Sequence, residues 1–132
     1  MDKTTRARLI NSARNAAPRA YAPYSRFRVG AAVISNRGKI YAGANVENGS
    51  YGLTVCAERT AIFKAVAAGE RKITALAVYT ETENPTPPCG ACLQVLSEFS
   101  TNPIVILASR EKVRIFRLRE LLPFRFRLNN PL

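Results

Sequence analysis

Three cysteines and no histidine constrain this chain of 132 residues more than any other feature. Cys56 stands in Cys56-Ala57-Glu58, and the other two stand in Pro88-Cys89-Gly90-Ala91-Cys92. Without histidine, a Ser-His-Asp triad, a His-paired cysteine nucleophile and any His-containing metal site are impossible within the chain. An odd number of cysteines leaves one unpaired in any disulfide framework. The opening Met-Asp-Lys-Thr-Thr-Arg leads into no apolar stretch of the signal-peptide kind, and no run approaches the ~20 apolar residues of a membrane span. A reducing, cytoplasmic setting is therefore expected, where clustered cysteines mean metal or catalysis more often than bridges.

The length suits a single domain over 1–132, and a hydrophobic content of 47% argues for a packed core rather than disorder. Periodicity predicts an amphipathic helix from Thr4 to Ala20, with Leu9, Ala13, Ala16 and Ala17 on one face, ended by Pro18 and Pro23. A strand is expected from Phe27 to Ile34, then a turn at Asn36-Arg37-Gly38 and a returning strand from Lys39 to Ala44. Asn45 to Val55 holds too many Asn and Gly residues for a regular element. A helix from Cys56 to Ala68, stopped by Gly69, precedes a buried strand from Ile73 to Tyr79. After a proline-rich loop come a helix from Gly90 to Phe99, strands at Ile104–Ala108 and Val113–Phe116, and an irregular tail beyond Pro123. This order predicts an α/β fold, a three-layer α/β/α sandwich around a five-stranded mixed sheet. Sites in such sheets form where strand ends feed helix N-termini, and both cysteine clusters open helices there.

Lys and Arg number 20 against 9 Asp and Glu, a formal charge of +11. The excess sits at the ends: nine cations and only Asp2 from Met1 to Lys39, seven cations with Glu111 and Glu120 from Arg110 to Arg127. Basic ends around a neutral centre suit a polyanion, nucleic acid included, and equally suit a solvated, arginine-biased surface, which is the favoured reading.

Cys89 and Cys92 are three residues apart, so at a helix start both sulfurs can face one point. Helix N-termini favour thiolate over thiol, and three converging thiolates suit Zn(2+). A fourth ligand would have to be a carboxylate or water. Ligation by Glu58 would give four negative ligands and no open position, so the preferred reading puts water there with Glu58 beside it as proton carrier. The plainer alternative is that the cysteines are small buried hydrophobes and Glu58 an ordinary helix-start acid. Three cysteines with an adjacent glutamate, and a proline before Cys89, argue against it.

Cys-Ala-Glu together with Pro-Cys-x-x-Cys resembles the zinc-dependent nucleoside and nucleobase deaminases. The runs Tyr21-Ala22-Pro23-Tyr24-Ser25-Arg26-Phe27-Arg28-Val29-Gly30-Ala31-Ala32, Asn45-Val46-Glu47-Asn48, Ser50 to Arg59 and Leu121-Leu122-Pro123 narrow the resemblance to the small homotetrameric cytidine deaminases. The resemblance covers about Tyr21 to Pro123. It implies hydrolytic deamination of cytidine, and of deoxycytidine, to uridine or deoxyuridine plus ammonia by a zinc-bound hydroxide, in pyrimidine salvage. It further implies one Zn(2+) per subunit held by Cys56, Cys89 and Cys92, with Glu58 as proton shuttle between the attacking water, ring N3 and the leaving amine. Asn45 and Glu47 would hold the ribose hydroxyls, Phe27 would pack on the pyrimidine and Tyr51 would line the pocket. Phe126, with Phe124 as the neighbouring candidate, would reach the active site of another subunit of a homotetramer. Arg59 would hydrogen-bond the cysteine sulfurs and temper their charge.

Two departures stand out. The family's Cys-Gly-x-Cys-Arg-Gln reads Cys92-Leu93-Gln94 here, so a second basic residue beside the cluster is missing. A less acidic water and slower neutral-pH turnover are expected, unless that position serves packing or subunit contacts. After Leu-Leu-Pro the usual acidic residues give way to Arg125 and Arg127. Competing readings keep the chemistry but change the substrate to a polynucleotide or an antibiotic nucleoside such as blasticidin S, or make the chain a non-catalytic, zinc-stapled basic module that binds nucleic acid. The Asn45/Glu47 pair and a pocket closed by Phe126 favour the free nucleoside.

Overall fold

The structure, a computed structural model, describes residues 1–128. Five strands, β1 (Val29–Ser35), β2 (Ile40–Ala44), β3 (Ile73–Thr80), β4 (Ile104–Ala108) and β5 (Val113–Arg117), form one sheet in the order β2-β1-β3-β4-β5. Only β3 and β4 run parallel. The helix between them, α3 (Gly90–Glu98), makes that crossover, as a parallel pair requires. The expected α/β/α sandwich follows from strict alternation along the strands. Ala32, Ile34, Ala75, Ala77, Tyr79 and Ile106 face α1 (Lys3–Ala16) through Leu9 and Ala13. Ala31, Val33, Leu76, Val78, Val105 and Leu107 point the other way, towards α3 and α2 (Ala57–Ala67). Among the described residues, no helix is long and apolar enough to cross a membrane.

Several boundaries differ from the sequence-based expectations. The first helix ends at Ala16 rather than Ala20, and Ala17–Arg19 form a 3-10 turn. Pro18 has no N–H to give and its ring clashes with the carbonyl four residues back, so the α-helix stops there. The first strand begins at Val29, not Phe27. Arg26 has a left-handed backbone (φ 59), which breaks the extended run. The Asn45 side chain then takes the place of a strand partner, accepting from Val29 N at 2.9 Å and donating to the Phe27 carbonyl at 2.8 Å. A short helix, α4 (Leu118–Leu121), follows β5 and was not expected.

Two glycines set how closely the helices approach the sheet. A Cβ on Gly30 would lie 1.9 Å from the Ala13 carbonyl oxygen of α1, and one on Gly43 would lie 2.6 Å from the Ala61 nitrogen of α2. Small residues therefore fix α2, which carries Cys56 at its start, directly against β2. Gly43→Ala should cost about 1–3 kcal/mol by overpacking, read in urea melts, whereas Gly52→Ala, with nothing within 4 Å, should not destabilise.

At the turn end of the sheet, buried Glu70 accepts from Arg37 Nε and Nη2 at 3.1 Å each and from Tyr41 Oη at 2.8 Å. These donors, Arg37 foremost, hold the Glu70 carboxyl down to about 2, below its ordinary 4.5. A carboxyl more acidic in the folded chain stabilises above its unfolded pKa and loses that contribution as pH falls through the folded one. Acid titration of thermal stability should thus show a loss between about pH 4.5 and 2 that Glu70→Gln abolishes.

Candidate active site

The isolated bridges Tyr21↔Val46 and Val46↔Val55 clasp the irregular segment after β2. Tyr21 N donates to the Asn45 carbonyl at 2.9 Å, Glu47 N to Tyr21 O at 2.8 Å, and Val55 N to Val46 O at 2.9 Å. Three stretches distant in sequence thereby meet one residue before Cys56.

Cys56 and Cys89 are the N-cap residues of α2 and α3, both in extended backbone. The unpaired N–H groups of each first turn favour negative charge at these caps. Cys56 Sγ lies 3.9 Å from Cys89 Sγ, and Cys89 Sγ lies 3.4 Å from Cys92 Sγ. All three sulfurs fall within 4.8 Å of one another, with Cys92 buried, Cys56 half-buried and Cys89 exposed. A tetrahedral zinc with bonds of about 2.3 Å holds its sulfurs about 3.8 Å apart, so the trio has the spacing of three corners of such a site. Among the described residues these three sulfurs are the ligand group brought together, and Cys89 is the exposed member.

Glu58, in the first turn of α2, is only 5% exposed. Burial, and next the nearby charge of Cys56, push its carboxyl up to about 7. A carboxyl poised there both gives and takes protons at neutral pH. A hydrogen bond from Cys92, then Arg59 and Cys89, lower the Cys56 thiol, while the same contact with Cys56 and burial raise Cys92. Arg59 Nη2 donates to Cys56 Sγ at 3.4 Å, and Arg59 Nε is buried without a hydrogen-bond partner. A fixed cation with an unspent donor complements a cluster that gains negative charge as thiol protons are displaced by metal.

Asn45 is 8% exposed and its side chain is committed on two sides to the backbone of Phe27 and Val29. Glu47 Oε1 accepts from Tyr24 N at 2.9 Å and Ser25 N at 3.1 Å, and Oε2 accepts from Ser25 Oγ. These bonds hold the Glu47 carboxyl below its ordinary range, the Ser25 hydroxyl foremost. Glu47 and Tyr51 line one cavity of about 400 Å³ with Tyr24, Ser25 and Thr54, and the Tyr24 and Tyr51 rings meet edge to face at 5.9 Å. Phe27 is 41% exposed and lies outside that lining.

Residues 3–108 match the family model described as the cytidine and deoxycytidylate deaminase zinc-binding region. The chain belongs to that family. It is 46% identical to the cytidine deaminase of Sporosarcina psychrophila over 121 residues, 90% of this chain and 89% of that one. It is 56% identical to the cytidine deaminase of Halalkalibacterium halodurans over 93 residues, 70% of each. The crystal structure of cytidine deaminase from Burkholderia pseudomallei superposes with a TM-score of 0.88 at 48% identity, covering 96% of this chain and all (100%) of that one.

Against the family pattern, Leu93 is 6% exposed and belongs to the same core cluster as Ala57, Ala61 and Ile62. The position serves packing in this deaminase. Its neighbour Gln94 has a function that the sequence did not reveal. Gln94 Nε2 donates to the Phe126 carbonyl at 3.0 Å, and Phe126 N donates to Gln94 Oε1 at 3.2 Å. Arg125 Nη1 donates to the carbonyls of Ser97, Ser100 and Thr101, closing the C-terminal end of α3. The tail is thus pinned along α3, the helix opened by Cys89, while the Phe124 and Phe126 rings stay 95% and 70% exposed. Partners 32 residues apart leave no local signal. Gln94→Ala removes two hydrogen bonds of roughly 1 kcal/mol each, so trypsin should cut at Arg125 about thirtyfold faster in time-course proteolysis, with folding unchanged.

Proposed function

We propose that the chain is a zinc-dependent hydrolase that converts cytidine, and deoxycytidine, with water to uridine or deoxyuridine and ammonia. The observation that carries this is the convergence of three sulfurs within 4.8 Å of one another next to buried Glu58. Family membership and relatives named cytidine deaminase support it. Cys56, Cys89 and Cys92 would hold the zinc, which when bound supplies a Lewis acid that makes water nucleophilic at neutral pH. Glu58 would take a proton from the attacking water on a carboxylate oxygen and give it to ring N3 as C4 is attacked, then carry the proton of the new C4 hydroxyl to the amino group, which leaves as ammonia as the C4 carbonyl forms. Arg59 offsets the charge of the thiolates without ligating.

A free nucleoside fits better than a polymer. The 400 Å³ cavity beside Glu47 and Tyr51 has the size of a small-molecule site. One N–H of the Asn45 amide, after its bond to the Phe27 carbonyl, and one lone pair of Glu47 Oε2, after its bond from the Ser25 hydroxyl, remain as a donor and an acceptor for ribose hydroxyls. Phe27, on the exposed loop before β1, would pack on the pyrimidine, and Tyr51 would wall the pocket. We further read residues 1–132 as one catalytic domain acting as a homotetramer in the cytoplasm, a setting that suits three free thiols. A backbone-pinned tail that presents Phe126 outward supports completion of each pocket by a neighbouring subunit.

Glu58→Gln keeps every sulfur and removes the proton carrier. It should retain about one zinc per chain while cytidine turnover, followed by loss of cytidine absorbance, falls by at least about a thousandfold. Retained turnover overturns the mechanism, and zinc-free protein with full turnover overturns the metal assignment.

A further inference from the structure

One recess in the molecule lies away from the sulfur cluster. About 520 Å³ in volume, it lies at the opposite end of the sheet, between the start of β3, the end of α3 and the end of β5. Four cations line it, Arg71, Lys72, Arg117 and Arg127, against one carboxylate, Glu98. They come from separate parts of the chain: the connection before β3, the last residue of β5, and the tail. The nearby acid Glu70 is already neutralised by Arg37 and Tyr41.

Two of these guanidinium groups are held in place by the fold. Arg71 Nη1 donates to the carbonyls of Val66 and Glu70 at 2.9 and 2.8 Å, at the end of α2. Arg117 Nη1 donates to the Asn102 carbonyl at 3.0 Å. A guanidinium has five N–H donors, so each retains at least three. Anchored in this way, the two groups lose little freedom on binding a ligand. Phe99, half-buried, lies in the same wall, and Asn36 and Asn102 add amides.

We propose that this recess is a second ligand site, remote from the deaminase centre, which takes a compact oligophosphate such as the triphosphate chain of a nucleotide. Forked guanidiniums match phosphate oxygens two at a time, and several cations around one recess match several phosphates on one ligand. A polynucleotide requires an extended track of cations with repeated aromatic platforms, whereas these cations converge. The site does not depend on the proposed deamination and can fail without it.

The test is titration calorimetry of the zinc-loaded protein with tripolyphosphate, with adenosine triphosphate and with a ten-residue single-stranded oligoadenylate, alongside cytidine turnover on the same samples. Tripolyphosphate should bind saturably, one per chain. Lys72→Glu and Arg117→Glu, on different elements, should each weaken it about tenfold, the size of losing one charged contact. Arg14→Glu, on α1 with its guanidinium over the Tyr79 ring at the other end of β3, makes the same change in net charge away from the recess and should alter it less than about twofold. Cytidine turnover should stay unchanged in all three variants. Tighter binding of adenosine triphosphate than of tripolyphosphate assigns a nucleotide, and equal affinities assign the phosphate chain alone. Equal weakening by Arg14→Glu and Lys72→Glu, binding of the oligoadenylate alone, or no saturable binding overturns the proposal.

Discussion

Three sulfurs within 4.8 Å of one another cannot all carry charge unless a cation joins them, and much of this molecule is arranged around that fact. Two helices begin at the sulfurs, so their first-turn N–H groups favour thiolate there. Arg59, one helical turn after Cys56, adds a fixed positive group in contact with its sulfur. Glu58 lies on the same turn but is buried, so its carboxyl, unlike the sulfurs, is pushed towards neutrality. One short segment therefore separates two proton affinities: the Cys56 thiol is held down and the Glu58 carboxyl is pushed up. That separation allows hydrolysis at neutral pH without histidine.

The sheet makes the arrangement possible by bringing α2 and α3 to the same end. α3 follows β3 and must return along the sheet before β4 can run parallel to it, so its N-terminus falls at the carboxyl end of β3. α2 follows β2 and lies close against it because Gly43 leaves no side chain between them. The element order and the sulfur cluster were therefore legible in the sequence: five strands and three long helices follow from periodicity and breakers, and the Cys-Ala-Glu and Pro-Cys-x-x-Cys signatures are local. The residue order alone could not show that Asn45 and Glu47 are committed to backbone. Asn45 stands in for a strand partner after the left-handed Arg26, and Glu47 caps the turn at Tyr24 and Ser25. Both depend on a loop geometry fixed only once three distant stretches meet.

The tail shows the same limit. Its arginines read as a charged, irregular end, yet Arg125 closes α3 by binding three carbonyls, and Gln94 grips the Phe126 backbone. The basic residues that looked diffuse along the chain have different fates. Arg125 is consumed by a helix end and Arg37 by Glu70, whereas Arg71, Lys72, Arg117 and Arg127 remain around a recess. Net charge alone made no such distinction, because it counts satisfied and unsatisfied cations alike.

Leu93 shows how core packing changes an electrostatic expectation. Read from the motif, it is a missing cation beside the sulfurs, and the obvious consequence is a less acidic site. In the fold its side chain is 6% exposed among Ala57, Ala61 and Ile62, the apolar contacts that join α2 to α3. A leucine there contributes roughly 2 kcal/mol of burial to the interface that sets the sulfur spacing. Its burial ties α3, one residue after Cys92, into the same core cluster as the start of α2. Charge compensation falls to Arg59, whose buried Nε still has a donor to give.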